Sequence, residues 1–269
     1  MNLLYRLFQL FVAFPIMLVI SVLTALVTTI GSTIGSAHFW GYYPPMVWSK
    51  LMCWFFLLPV KVEGKSKLDP SSSYVYVANH QGAYDIFLIY GFIGRNFKWM
   101  MKKSIRRMPL FGKACESARH IFVDKSGPKA IQQTYDQARQ ILRNGTSLVV
   151  FPEGSRSFTG HMAHFRRGAF QLANELGLSV VPVTIDGSFD VLPRQKGFGF
   201  LTWHALRLII HDPIAPAEKG LENVRLTMEK SYSESYKQAG VDITAGYKAV
   251  ELMKQYVART ITDGVCSDV

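Results

Sequence analysis

The chain has 269 residues, 49% of them hydrophobic, and a formal net charge of +11, enough length to bury a core as one large domain or two small ones. Three scattered cysteines, Cys53, Cys115 and Cys266, form no C-x-x-C pair, which argues against a disulfide framework or a zinc site. The positive excess is local: Lys50 to Ala215 holds 22 basic and 11 acidic residues, the first 49 residues hold only Arg6, and the last 54 hold 7 basic and 8 acidic residues. A basic middle calls for an anionic partner, either nucleic acid, a lipid headgroup or a phosphorylated substrate.

The N-terminus separates these partners. From Leu7 to Ser49 there is no Asp, Glu, Lys or Arg, and Leu7 to Ile30 alone reaches the ~20 apolar residues that cross a bilayer. Gly31 to Ser36 is a helix-ending patch, and His38 to Pro45 is rich in the aromatics that sit at headgroup level. Met46 to Val60 is a second apolar stretch, interrupted by Lys50, too short to span and suited to the interface. A cleaved signal peptide, with an apolar core of about 7 to 15 residues before a small-residue cleavage site, is the rival reading, but this stretch is longer and does not stop there, so it reads as retained. The expected location is a membrane, with the basic middle domain on the cytoplasmic side, reached by a spanning helix or a re-entrant hairpin. Nucleic acid is then not an expected partner.

From Val60 onward, strand and helix signals alternate. Strands are predicted at Val60 to Glu63, Tyr74 to Ala78, Phe97 to Met101, His120 to Val123, Ser147 to Phe151, Val180 to Ile185 and Leu206 to His211. Helices are predicted over Pro128 to Arg143, with Asn144-Gly145 as its stop, and over Arg167 to Leu176, ending at Gly177. The expected fold is α/β, a mixed and largely parallel sheet flanked by helices, with an N-terminal membrane-embedded helical segment and a helical C-terminal tail. The expected boundaries are residues 1–59, 60–215 and 216–269, the last holding two amphipathic helices separated near Gly240.

Two strand ends carry chemistry, and strand ends are where α/β sheets place their sites. The first is Asn79-His80-Gln81-Gly82-Ala83-Tyr84-Asp85. His is the side chain poised to take a proton near neutral pH, and a carboxylate within reach fixes its tautomer. Five residues of ideal helix leave two side chains roughly 140° apart, so His80 and Asp85 meet only if the chain turns between them, which Gly82 permits. A helix should begin near Asp85, and Asp85 is also a good N-cap candidate, a role that needs no catalysis. The second is Phe151-Pro152-Glu153-Gly154-Ser155-Arg156-Ser157, where Glu153 offers acceptors and Arg156 a planar fork for phosphate, or else the stretch is an ordinary polar turn. Lys102 to Gly112 mixes cations with an apolar, Pro-broken segment, either a solvated face or an edge dipping into lipid, and Arg166 opens the next helix, either as an ordinary helix-surface residue or as one sharing a phosphate with Arg156. His161 and His164 lack the H-E-x-x-H pattern, and no G-x-S-x-G or G-x-x-x-x-G-K-[ST] motif is present.

In order and spacing, Asn79 to Asp85, Lys103 through Pro109 to Gly112, FPEGSRS, and Val181-Pro182-Val183-Thr184-Ile185-Asp186-Gly187 resemble the glycerolipid acyltransferases, specifically those acting on 1-acylglycerol-3-phosphate. The blocks span about two-fifths of the chain. The resemblance implies His80 as general base, Asp85 as its orienting carboxylate, and Glu153, Gly154, Arg156 and Lys103 in the block that binds glycerol phosphate. Arg166 stands where the family usually has Lys, Gly82 where Ser is common, and Ser155 where Thr is usual. The implied reaction moves a fatty acyl group from an acyl thioester, carried by coenzyme A or acyl carrier protein, to the lysolipid hydroxyl, with no bound cofactor or metal. Its partners would be that donor, a lysophospholipid acceptor and membrane lipids. Another lysolipid acceptor, or a non-catalytic membrane-tethered lipid-binding protein, are the alternatives.

Overall fold

A computed structural model describes residues 3–64, 68–124, 126–142, 145–197, 199–216 and 220–238. The chain forms two compact units, Met1–Met228 and Glu229–Val269. Cys266, Asn144 and the second tail helix lie outside the described residues, while the first tail helix is present over Gly220–Gln238.

The strands expected from β-branched runs form one seven-stranded sheet: β1 Val60–Glu63, β2 Val75–Ala78, β3 Phe97–Lys102, β4 Ile121–Val123, β5 Ser147–Val150, β6 Val180–Asp186 and β7 Leu206–Ile210. The order is β1-β7-β6-β2-β5-β3-β4, and every pairing is parallel except β6 with β7. β2 and β5 lie at the centre with every residue buried, which is why they read as unbroken apolar runs rather than alternating ones. Each large apolar side chain removed from water here contributes about 1.5–3 kcal/mol. The ends of β2 and β5 therefore stand side by side on a rigid support.

The first helix, α1, runs over Leu3–Ile34, further at both ends than the apolar run suggested. Most of its length is exposed, and among the described residues it is the one helix long and apolar enough to cross a bilayer. Gln9 to Ala13 widens into a π-turn, and Gln9 is the reason such a turn is useful. Its buried side-chain amide donates to the Leu201 carbonyl and accepts the Leu201 N–H, both at 2.9 Å, so an apolar helix is pinned to a loop by its one buried amide. A single turn at Ala37–Trp40 then leads into α2, Tyr43–Phe55. α2, the second apolar stretch, buries Ser49 and Cys53 and packs against both α1 and α3, Asp85–Phe92, while Tyr43, Val47 and Trp54 are exposed.

The remaining helices are α4 Phe111–Ser117, α5 Pro128–Ile141, α6 Gly168–Leu176 and α7 Gly220–Gln238. Gly177 closes α6 in the left-handed conformation that its sequence position foretold. After β6 the chain makes a turn at Ser188–Val191 and a tighter one at Arg194–Lys196 before reaching β7.

Candidate active site

Asn79 ends β2 by replacing a ladder bond with its side chain. Its amide donates to the Ile185 carbonyl at 2.8 Å and accepts the Ile185 N–H at 2.7 Å, which ties β2 to β6 where the regular pairing stops. The chain then turns, and His80 Nδ1 comes to 2.7 Å from Asp85 Oδ2. The same carboxylate oxygen accepts the N–H groups of Gln81 at 2.6 Å and Gly82 at 3.0 Å. With the carboxylate oxygen as acceptor the donor in this contact is Nδ1–H, which leaves Nε2 as the ring nitrogen not engaged by Asp85. Asp85 is fully buried and His80 nearly so. The His80 ring also stacks on Phe151, with centroids 3.9 Å apart and planes 8° from parallel, so two neighbours fix its orientation.

The N-cap expectation for Asp85 is corrected. Tyr84 is the residue flanking α3 and makes no side-chain cap bond, while Asp85 is the first helical residue. Its carboxylate reaches back into the loop instead, and its charge at the positive end of the helix is favourable.

The second strand end lies against the first. Glu153 Oε1 accepts the His80 N–H at 2.6 Å, Glu153 Oε2 accepts the Ala163 N–H at 2.8 Å, and the His80 carbonyl accepts from Ser157 N–H at 2.8 Å. Burial pushes the Glu153 carboxyl up to about 7, the two backbone N–H groups oppose that rise, and the nearby Asp85 charge adds to it. Glu153 thus has both oxygens committed to the protein, and it holds the two loops together. Gly154 follows at φ 76°, a conformation that favours glycine, and the Arg166 guanidinium packs over it, with Nε 3.0 Å from where a Cβ would stand. The Arg166 N–H also donates to the Pro152 carbonyl at 3.0 Å.

Beyond these loops opens a cavity of about 910 Å³. His80, Gly154, Arg156 and Arg166 line it at one end. Ser21 to Thr28 of α1, Trp48 of α2, and Phe111 to Ala118 around α4 contribute to the walls, and the lining is predominantly apolar. Of the expected residues, His80 and Asp85 meet, Arg156 and Arg166 share the cavity, and Glu153 and Gly154 shape it from beneath. Lys103 is placed elsewhere. It opens the turn Lys103–Arg107, pairs with Asp124 at 2.5 Å, and lines a separate polar groove with Arg106 and Arg119. The neighbouring Lys102, last in β3, lines the main cavity in its stead. Arg194 lines it too, from a segment that carried no motif. Among the described residues, no group of three or more His, Cys, Asp or Glu side chains stands together as a metal site would require.

The family model described as Acyltransferase matches residues 59–186. A chloroplastic 1-acyl-sn-glycerol-3-phosphate acyltransferase of Arabidopsis thaliana is 33% identical over 156 residues, which is 58% of this chain and 43% of that protein. The enzyme of the same name from Limnanthes douglasii is 29% identical over 196 residues, covering 71% of this chain and 67% of that one. The chain spans about half the length of several of the curated relatives it matches. Among solved structures, the 1-acyl-sn-glycerophosphate acyltransferase PlsC of Thermotoga maritima aligns with a TM-score of 0.69 at 25% identity, over 86% of this chain and 94% of that one.

Proposed function

From the membership of residues 59–186 in the acyltransferase family, we infer that this protein transfers a fatty acyl group from an acyl thioester to the free hydroxyl of 1-acylglycerol-3-phosphate, giving phosphatidic acid at a membrane. The observation that carries the reading is the buried His80–Asp85 pair opening onto an apolar cavity whose same end bears Arg156 and Arg166. A proton acceptor, a phosphate site and space for an acyl chain are all that an acyl transfer to a lysophospholipid requires.

The acceptor's phosphate lies at the arginines and its chain along the α1 wall, which presents its hydroxyl toward His80 Nε2. As the hydroxyl oxygen attacks the thioester carbonyl, its proton passes to Nε2 and Asp85 stabilises the imidazolium. The tetrahedral intermediate then collapses, the C–S bond breaks, and the leaving thiolate takes the proton back from Nε2. The enzyme is returned unchanged and no acyl-enzyme forms. Positioning by the arginines contributes as much as the base, because a bound acceptor reacts as if intramolecular. Coenzyme A or acyl carrier protein delivers the acyl group as a substrate, and no bound cofactor takes part. The basic domain faces the cytoplasm, where such thioesters are available.

The direct test is acyl transfer from radiolabelled acyl-CoA to lysophosphatidate in detergent micelles, with His80→Ala as control. Phosphatidate formed by the wild type and lost in the variant is the expected result. Equal product from both removes the base assignment.

A further inference from the structure

We propose that Arg194 is a third headgroup-binding guanidinium, which makes the site selective for a phosphate monoester over a phosphodiester headgroup. The inference deepens the reading above and rests on it, but it stands on residues outside every motif that identifies the chain.

The segment after β6, residues 188–197, is seated on the catalytic loop. The Ala83 N–H donates to the Leu192 carbonyl at 3.1 Å, and Gly82 bridges antiparallel to Pro193. A Cβ on Gly82 would fall 2.2 Å from the Ser188 carbonyl oxygen, so the close approach of this segment depends on a glycine at that position. The serine common there in the family resemblance would collide with the segment. The departure at Gly82 and the presence of the segment against the loop are therefore one feature.

What the segment delivers is Arg194. Its guanidinium lies 4.1 Å from the centroid of the Phe158 ring, and its Nη1 donates to the Arg156 carbonyl at 3.4 Å. Stacking and the hydrogen bond hold a half-buried cation at the cavity beside the two arginines already described. Among the described residues the lining includes Lys102, Arg156, Arg166 and Arg194 and no carboxylate. Four cations in a mainly apolar cavity are matched by a group of more than one negative charge.

A lysophosphatidate phosphate is a monoester. It carries about −1.5 to −2 charge at neutral pH and three unsubstituted oxygens for guanidinium forks. A phosphodiester such as lysophosphatidylglycerol carries a single charge and two such oxygens. Each guanidinium beyond the second therefore favours the monoester, both by charge and by the oxygen it occupies.

The test uses the full chain in mixed micelles, with Michaelis constants for lysophosphatidate and lysophosphatidylglycerol in the wild type, Arg194→Gln, Arg194→Lys and Gly82→Ser. Loss of one charge-assisted contact raises the lysophosphatidate KM about ten- to hundredfold with kcat little changed. The preference for the monoester should fall by the same factor. Arg194→Lys, which keeps the charge without the fork, should fall between. Gly82→Ser should reproduce the KM effect by displacing the segment. An unchanged acceptor ratio in Arg194→Gln overturns the proposal, and so does a loss of kcat with KM unaffected, the mark of a structural role. If Arg194→Gln fails to fold, Arg194→Lys decides by the same two criteria. Calorimetric binding of both lysolipids to His80→Ala, with and without Arg194→Gln, separates this inference from the reading beneath it. Loss of the monoester's binding advantage supports the Arg194 role even if the wild type turns over neither acceptor, and a retained advantage overturns it even if the acyltransferase activity is confirmed.

Discussion

Replacing Asp85 with asparagine separates the electrostatic work of this residue from its structural work. The Oδ2 atom accepts three N–H groups, from His80 Nδ1, Gln81 and Gly82. Truncation to alanine would leave all three donors buried without partners, at about 1–3 kcal/mol each, enough to unfold a protein of ordinary stability. Asparagine keeps the shape and one acceptor oxygen, so the loop survives with its three bonds weakened to neutral ones. What is lost is the negative charge beneath the imidazolium, together with the certainty that Nδ1 keeps the proton. A base without its oriented carboxylate forfeits about 10³- to 10⁴-fold in turnover. The phosphate site is untouched, so KM for lysophosphatidate should stay within about threefold, since only a transition-state interaction is removed. The assay is turnover against acceptor concentration, with thermal unfolding in the same detergent as a fold check. A folded Asp85→Asn enzyme retaining more than about a tenth of wild-type kcat would refute the claim that Asp85 supports a base at His80.

Glu153→Gln tests the raised carboxyl. The folded-state value, about 7 against an ordinary 4.5, means the folded protein binds this proton more tightly than the unfolded chain does. Its contribution to stability is complete below pH 4.5 and is lost as pH rises through 7, by about 3 kcal/mol at most. The Gln variant should lack that slope when unfolding temperatures are compared at pH 5 and pH 8, and an identical slope would remove Glu153 as its source. Lys102→Gln should raise the KM for lysophosphatidate several-fold, whereas Lys103→Gln, paired with Asp124 in the other groove, should leave it unchanged; the reverse order in acyl-transfer assays would contradict the placement of the two lysines. Gln9→Leu leaves the Leu201 N–H and carbonyl without their partner, a loss of about 2–5 kcal/mol, read as a lower unfolding temperature in detergent.

The seven strands were legible because fully buried strands leave unbroken β-branched runs, and each predicted run lies within two residues of an observed strand. The pairing of His80 with Asp85 was legible in part: Gly82 permits the turn their spacing needs, and the family resemblance assigned them as a pair. Charge alone did not say which lysine would face the substrate. Lys102 and Lys103 are neighbours in a basic run, and only the switch from strand to tight turn between them sends them to different cavities. Arg194 carried no local signal at all. It belongs to the site through bonds between Ala83 and Leu192 and between Arg194 and Arg156, contacts separated by roughly a hundred and by 38 residues of sequence. The same holds for Gln9, whose polarity within an apolar helix was visible but whose partner, Leu201, was 192 residues away.

Glu153 shows why the two motifs must be read as a single device. A base is useful only at a fixed distance from the group that holds its substrate, and a displacement of about 1 Å is enough to cost 10²-fold in rate. Here that distance is set by backbone bonds rather than by either functional side chain. Glu153 ties His80 to Ala163, Ser157 ties back to His80, and Arg166 ties to Pro152. The two loops share an acidic tie that is buried, and burial pushes its carboxyl up to about 7. A protonated Glu153 has a hydroxyl where the backbone presents only donors, and one of its two bonds weakens. The two backbone N–H groups therefore favour the ionised carboxylate while burial opposes its charge, and burial is the larger of the two effects.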